Sequence, residues 1–294
     1  MKSSKPCWLL SAVLLFTTCG QRSQRPDASD AASPTFQNVL ILLDLSDRIT
    51  LDGQLDKDQE IIKAALDVFQ DNQRKFGFIN SKDMLRLAIA PEPGVTAIAN
   101  NRLIIDMNTM VKGRNAAASK GKPAFDEIRQ EFEAELASLY AKASENLNTG
   151  ADIYTFFCTT LPVSFLGYPD KITKVIVLTD GYLYFNKAYQ RKRPKGSFMI
   201  DTEIARQRKS DDPKGYYKKK KLALKACNRS LDNVEVLFLE IAPKFQGESV
   251  NEFDIVSHYW SEWFSAMGVE AQMYPQNHQV SNIKGYIKNF LKRD

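Results

Sequence analysis

Histidine is scarce in this chain, which has only His258 and His278 among 294 residues. So few imidazoles argue against a His-rich metal site and against a Ser-His-Asp catalytic arrangement. The sequence also has no Gly-rich phosphate loop of the Walker or dinucleotide type, and it shows no internal repeat. These absences leave a chain of ordinary globular composition, with 44% hydrophobic and 26% charged residues.

Long hydrophobic runs are missing too, and the one near the amino terminus has the form of an export signal. Lys2 and Lys5 precede a short apolar core, Cys7–Phe16, which is too short to cross a bilayer permanently. The end of this segment, Thr17-Thr18-Cys19, resembles a bacterial lipoprotein box, although Phe16 and Thr18 depart from its preferred residues. We therefore expect residues 1–18 to be removed and Cys19 to be lipidated; the alternative is an ordinary cleaved signal with an incidental cysteine.

Cysteine is sparse in the remaining chain. Once Cys7 is removed and Cys19 is lipidated, only Cys158 and Cys227 remain. In an oxidising envelope the two could form a disulfide, but Cys158 follows Phe156-Phe157 in an apolar stretch, where buried free thiols are common. Two free core thiols are the favoured prediction.

Strand and helix patterns alternate from residue 36 to the carboxyl terminus, after a flexible tether predicted at 19–35. Apolar runs predict six strands, the second and third joined by a short turn and hence antiparallel. This order predicts an α/β domain over 36–294, with a mostly parallel six-stranded sheet covered by helices on both faces. The charged stretch near 186–214 is predicted to be an insertion rather than a core element, and a helix is predicted from Tyr216 to Cys227.

Two of the predicted strands end on acidic loops. Val39–Leu43 is followed by Asp44-Leu45-Ser46-Asp47-Arg48, and Val175–Leu178 by Thr179-Asp180-Gly181. In an open α/β sheet, ligands bind at the carboxyl ends of the strands, where the strand order reverses. Two carboxylates and a hydroxyl brought together there would suit Mg²⁺ or another hard divalent cation.

These loops, together with Thr149 in Asn148-Thr149-Gly150, resemble the von Willebrand factor A family. The resemblance implies a doubly wound, Rossmann-like sheet and a metal-ion-dependent adhesion site, with Asp44, Ser46, Thr149 and Asp180 as the metal ligands. The second serine of the family's Asp-x-Ser-x-Ser loop is replaced by Arg48, with Asp47 beside it. We expect Arg48 to modulate the site, either by repelling a cation or by replacing its charge through a pair with Asp44 or Asp180. The alternative is that Asp44 and Asp180 only end strands and cap helices.

Aromatic and basic residues outside the predicted cation site are assigned to a rim, to the core or to the surface. Tyr182, Tyr184 and Phe185 follow Asp180 and are predicted to form a rim that contacts a partner. Trp260 and Trp263 are expected in the core, and the basic runs at 190–193 and 218–221 are expected to be solvated surface. The net charge of +5 is mild, and no nucleic-acid partner is expected.

The sequence thus predicts a non-enzymatic binding module in the bacterial cell envelope. It would be lipid-anchored through Cys19, on the periplasmic or surface face, and would grip a protein partner through the cation site. The alternatives are a metal-independent scaffold of an envelope assembly, which Arg48 favours, and a phosphohydrolase. The latter is disfavoured because the second aspartate of phosphotransferases that use a nucleophilic aspartate is Ser46 here.

Overall fold

The structure is a computed structural model that describes residues 36–293 except 79, 92–98, 110–120, 146–149, 169–170, 184–189, 194, 232 and 243–251. Residues Thr35–Asp294 form one compact unit. The expected signal segment 1–18, the tether 19–35 and Cys19 therefore lie outside the described residues. In the described part of the chain, no helix is long and apolar enough to span a bilayer.

Six strands form one sheet in the order β3-β2-β1-β4-β5-β6. They are β1 (Phe36–Leu43), β2 (Met84–Ile89), β3 (Ala99–Asp106), β4 (Lys171–Leu178), β5 (Val234–Ile241) and β6 (Glu270–Pro275). All neighbouring pairs are parallel except β2 and β3, which are antiparallel. The predicted α/β class, the mostly parallel six-stranded sheet and its antiparallel pair are confirmed.

Helices connect these strands. They are α1 (Gln54–Phe76), α2 (Gly121–Glu145), α3 (Ile153–Thr155), α4 (Leu161–Ser164), α5 (Asp201–Arg208), α6 (Pro213–Lys220), α7 (Glu252–Ser265) and α8 (Val280–Phe290). A 3₁₀ turn spans Asp47–Thr50, and a π-helical turn, Phe156–Thr160, links α3 to α4.

The sheet is buried on both faces, because successive side chains of a strand point to opposite sides. From β1, Val39, Ile41 and Leu43 pack with α1, α2 and α8 in one hydrophobic cluster. Leu40 and Leu42 belong to the second cluster, with α7 and the segments between β4 and β5. Helices therefore cover both faces, as predicted.

The tryptophans of α7 lie in the core, as predicted. The indole rings of Trp260 and Trp263 are 0% and 1% exposed, and their centroids lie 5.4 Å apart. The Trp260 indole N–H donates to the Gly181 carbonyl at 2.7 Å, which ties α7 to the loop after β4.

Two predictions for the connection between β4 and β5 are wrong. Met199 and Ile204 are buried in the second cluster, so part of the stretch 186–214 packs into the core. The helix expected over 216–227 runs instead from Pro213 to Lys220. Asp212 caps its first turn by accepting from the Gly215 N–H at 2.8 Å, and Lys221 ends the helix in the left-handed conformation, with φ 55°.

The prediction of two free core thiols is also wrong, because Cys158 and Cys227 form a disulfide. Their Cα atoms lie 5.2 Å apart, within the range that a disulfide requires. The sequence did not reveal the pairing, because the cysteines are 69 residues apart and only the packed fold brings the π-helical turn against the chain that follows α6.

Candidate functional site

The two acidic loops meet at the carboxyl ends of β1 and β4, which are neighbours at the centre of the sheet. Leu43 pairs with Leu178 in the parallel register, so Asp44 comes opposite Thr179. The Asp44 N–H donates to the Leu178 carbonyl at 3.0 Å and so continues the ladder by one residue. The chain proceeds from β1 to β2 on one side and from β4 to β5 on the other. The loops therefore lie at the point of reversal at which α/β sheets bind ligands.

The carboxylate of Asp44 is buried and is held by neutral donors. One oxygen, Oδ1, accepts the Ser46 N–H at 2.9 Å, and the other, Oδ2, accepts the Thr179 hydroxyl at 2.7 Å. Asp44 is 1% exposed, and it forms no ion pair with any residue that the structure describes. A buried carboxylate that lacks a cationic partner is costly. This position therefore favours a positive charge.

Ser46 and Asp180 add further oxygens at the same edge, and both residues are buried. The Asp180 carboxylate accepts the Tyr182 N–H at 3.1 Å, while the Gly181 N–H donates to the Thr179 hydroxyl at 3.0 Å. Gly181 has φ +88°, and an added Cβ would lie 2.8 Å from a methyl of Val256. Glycine is thus required for this turn on steric and conformational grounds.

The capping alternative fails for Asp44. Ser46 is the N-cap of the 3₁₀ turn and Gly53 is the N-cap of α1, and neither cap uses an Asp44 oxygen. The bond from the Ser46 N–H to Asp44 is an Asx-type turn, in which a carboxylate accepts from the backbone two residues on.

Arg48 does not pair with Asp44 or Asp180, so that prediction is wrong. Its guanidinium makes a bidentate pair with Asp58 of α1, at 2.7 and 2.9 Å, and a 3.1 Å bond to the Asp44 carbonyl oxygen. Burial lowers the pKa of Arg48, but the Asp58 carboxylate, and more weakly Asp44, outweigh burial and raise that pKa overall. The sequence did not reveal Asp58 as the partner of Arg48, because the two residues are ten positions apart and only the packing of α1 brings them together.

A buried polar network extends from Asp58 towards β5. Gln54 donates to Asp58 at 2.8 Å and to Glu240 at 3.2 Å, and Lys57 pairs with Glu240 at 2.9 Å. Tyr140 donates to Asp58 at 3.3 Å; burial, and then the Asp58 charge, raise the pKa of the Tyr140 phenol. The network joins the loop after β1 to α1, α2 and β5.

Glu240 is the strained member of this network. It has φ +72° near the end of β5, where the pairing with β6 shifts register. Among the described residues, its buried Oε1 has no hydrogen-bond partner. Burial raises the pKa of Glu240, and Lys57 and Gln54 oppose this only in part. Strained backbone and orphaned polar atoms are concentrated at functional sites.

The remaining predicted site residues have mixed outcomes. Tyr182 is 4% exposed and its hydroxyl donates to Glu252; its assignment to an exposed rim is wrong because α7 covers it. Asp47 is exposed, as a surface residue of the 3₁₀ turn. Thr149, Tyr184 and Phe185 lie outside the described residues.

Sequence reasoning missed three residues that shape the site: Thr179, Asp58 and Glu240. A usable signal existed for Asp58, which precedes Ile61 and Ile62 by three and four positions and so shares their buried helix face. For Glu240, nothing in the strand Val234–Ile241, which is apolar apart from Glu235 and Glu240, indicated positive φ.

The ends of β1 and β4 present carboxylate and hydroxyl oxygens, which are the ligand types of hard divalent cations. Each carboxylate oxygen of Asp44 keeps a lone pair beyond its single hydrogen bond, and Ser46 and Asp180 supply further oxygens of the type that Mg²⁺ prefers. No group of three or more His, Cys, Asp or Glu side chains with metal-ligand geometry occurs in the described part. Any site here therefore depends on hydroxyl oxygens as well as carboxylates.

Comparisons with known proteins do not identify the chain. No protein-family model matches it, and no curated protein matches it. Among solved structures, proximal thread matrix protein 1 from the mussel byssus is similar at 14% identity and a TM-score of 0.38. That match covers 88% of this chain and 48% of the mussel chain, so this chain spans about half the length of that structure. At this identity and TM-score the likeness is too weak to assign a fold or a function.

Proposed function

We propose that this chain is a von Willebrand factor A-like binding module that grips a protein partner through a divalent cation, Mg²⁺ or a similar ion. The observation that carries the proposal is the Asp44 carboxylate, buried with neutral hydrogen-bond donors beside Ser46 and Asp180. A cation bound there would supply the positive charge that this position favours and an attachment point for an acidic side chain of the partner.

The strand order supports the family-level part of the proposal. The order β3-β2-β1-β4-β5-β6 places β1 and β4 side by side at the reversal, where α/β sheets bind ligands. Because β2 and β3 are antiparallel, the sheet is not a clean doubly wound arrangement. Asp44, Ser46 and Asp180, on which the family resemblance rests, follow those two strands.

Each residue has a distinct task in the proposed site. Ser46 and Asp180 provide ligand oxygens, and Thr149 is proposed as a further ligand from the resemblance alone. Thr179 and the Ser46 N–H orient the Asp44 carboxylate. Because Arg48 forms its ion pair with Asp58, its guanidinium interacts with the Asp44 carboxylate only weakly.

The disulfide supports an envelope location. Structural disulfides persist in oxidising compartments such as the periplasm, and Cys158–Cys227 closes a long loop of this domain. Together with the signal-like amino terminus, it supports our proposal that the chain is exported and lipid-anchored through Cys19.

Calorimetric titration of residues 35–294 with Mn²⁺ tests the cation site. We expect saturable binding by the wild type, and Asp180→Asn to weaken it at least about tenfold, the scale on which a disturbed metal site loses affinity. The matched control is Asp47→Asn, which removes an exposed carboxylate of the same loop and should leave the affinity unchanged. If the folded wild type does not bind Mn²⁺, the proposed cation site is wrong, and the alternative of a metal-independent scaffold is favoured.

The partner interaction is tested separately, by capture from detergent-solubilised envelope with and without a chelator. A partner that is retained by the wild type, released by the chelator and absent with Asp180→Asn supports the proposed mode of binding. If the partner is retained equally with and without the chelator, and equally by the wild type and Asp180→Asn, the proposed mode of binding is wrong.

A further inference from the structure

One segment of the chain carries a large excess of positive charge. Residues 190–230 contain fourteen Lys and Arg against four Asp and Glu, a net charge of +10, whereas the whole chain carries +5. The rest of the chain is therefore net negative by 5. Surfaces that only need to be soluble intersperse both signs, and a large single-sign surface favours anionic partners.

Eight of the exposed cations of this segment form what we call the basic face. It comprises Arg191, Lys192 and Lys195 of one turn, the run Lys218–Lys221, and Lys225, all of which are exposed. The Lys225 N–H donates to the Gly196 carbonyl at 2.7 Å and so joins the two parts of the face. Tyr154 and Trp263 both donate to the Lys225 carbonyl at 2.9 Å. The backbone beneath the face is therefore fixed.

The charge of the basic face is not neutralised by ion pairs in the part of the chain that the structure describes. Among the described residues, none of its side chains forms an ion pair, whereas other cations of the same segment do. Arg193 pairs with the buried Asp152, and Arg208 lies 3.4 Å from Glu252. The dipole of α6 accounts for lysines in its last turn, but not for Lys225 or for Arg191 and its neighbours.

The charge is also confined to one side of the sheet. Met199, Ile204, Tyr217 and Leu224 anchor this segment in the cluster that includes α7. The helices that pack in the other cluster, α1, α2 and α8, carry eleven acidic and nine basic residues together. Such a molecule has one strongly basic side and one side of nearly balanced charge. The field of an anionic partner would therefore turn the basic side towards that partner.

We propose that the basic face binds the surface of an anionic lipid membrane. Phosphate-bearing headgroups give such a surface a negative potential, which dispersed lysines recognise as point charges without a shaped pocket. Cys227 of the disulfide lies within the segment and indicates an oxidising compartment rather than the cytosol or nucleus, which favours lipid over nucleic acid. This inference goes beyond the cation site and does not depend on it.

Cosedimentation of residues 35–294 with vesicles tests the proposal without any lipid anchor, since both hydrophobic clusters lie within this unit. We expect binding to phosphatidylcholine vesicles that contain phosphatidylglycerol and none to phosphatidylcholine alone. Binding should collapse as salt rises from about 0.1 to about 1 M, where the Debye length shortens from about 10 to about 3 Å.

Two charge-matched variants locate the effect. K218E/K219E/K220E/K221E should lower the partition coefficient at least about a hundredfold, since each lysine near an anionic surface contributes roughly a fivefold factor. K63E/K75E/K288E/K292E changes the net charge equally, at exposed lysines of α1 and α8 and the chain end, and should lower it much less. Urea unfolding of both variants confirms that they remain folded.

Three results would overturn the proposal. The first is equal binding to vesicles with and without phosphatidylglycerol. The second is an equal loss in the two variants, which would make net charge, not the basic face, the cause. The third is tighter binding to a DNA duplex than to the anionic vesicles at the same salt concentration, measured by fluorescence anisotropy, which would assign the face to a polyanion other than lipid.

Discussion

Arg48 shows how a residue that departs from a family pattern acquires a different role. It follows Ser46 by two positions, where the pattern has serine, but its side chain turns to α1 and pairs with the fully buried Asp58. The sequence predicts a charge pair between Arg48 and the Asp44 or Asp180 carboxylate, whereas Arg48 bonds to Asp44 only at the backbone carbonyl. What the sequence did not provide was the competing carboxylate, because a partner ten residues away on a helix is fixed only by packing.

Arg48→Ser is therefore expected to destabilise the protein rather than to clear the cation site. It leaves Asp58 buried without its guanidinium, and loss of one partner of such a pair costs about 3–5 kcal/mol of unfolding free energy. The double variant Arg48→Met/Asp58→Leu removes both charges and should cost less than Arg48→Ser alone. Urea unfolding measures all three proteins. A cost below about 1 kcal/mol for Arg48→Ser would mean that the pair is solvated.

The unfolding free energy should depend on pH through Glu240, and the burial of this residue sets the direction of the dependence. Its folded-state pKa is raised by burial, so its contribution to stability is fully present below the unfolded value of about 4.3 and is lost as pH rises through the folded pKa. Glu240→Gln removes this loss. The unfolding free energy of the variant relative to wild type should therefore increase as the pH rises from about 4 to about 7.

Urea unfolding at several pH values measures that difference directly, since other titrating groups cancel between the two proteins. A difference that stays constant with pH would show that Glu240 has an ordinary pKa. A difference that falls with rising pH would show that Lys57 and Gln54 outweigh burial.

Among the secondary-structure elements, the positions of strands were easier to predict from the sequence than the ends of helices. The apolar runs at 39–43, 175–178 and 234–241 lie within the observed β1, β4 and β5, because strands buried on both faces must be apolar throughout. The helix after α5 was misplaced because Asp212 and Pro213 set its start, and local capping outweighed the apolar pattern farther on. The disulfide escaped prediction because no local pattern encodes a contact across 69 residues.

Removal of that disulfide should weaken the packing between the π-helical turn and the chain after α6. By the chain-entropy model, a crosslink that spans 69 residues contributes about 4 kcal/mol. The variant Cys158→Ala/Cys227→Ala should lose stability on that scale in urea unfolding. The wild type in dithiothreitol should match the variant, whereas a wild type that is indifferent to the reductant would indicate free thiols.

At the scale of the whole molecule, the candidate cation site and the basic face differ in how far the sequence predicts them. The candidate cation site was predictable in outline, because parallel strands of an α/β sheet present their carboxyl ends together and the acidic loops follow two of them. The basic face was not, since each of the runs at 190–193 and 218–221, taken alone, is typical of solvated surface charge. In the folded chain, the hydrogen bond from the Lys225 N–H to the Gly196 carbonyl connects the segments that carry them.

The central claim is that Asp44, Ser46 and Asp180 hold a divalent cation at the ends of β1 and β4. Anomalous diffraction from crystals soaked in Mn²⁺ tests it most directly. The account predicts a manganese peak between those three residues, which Asp180→Asn crystals lack. A well-ordered wild-type structure with no peak there, at a Mn²⁺ concentration that fills other sites, would contradict the claim.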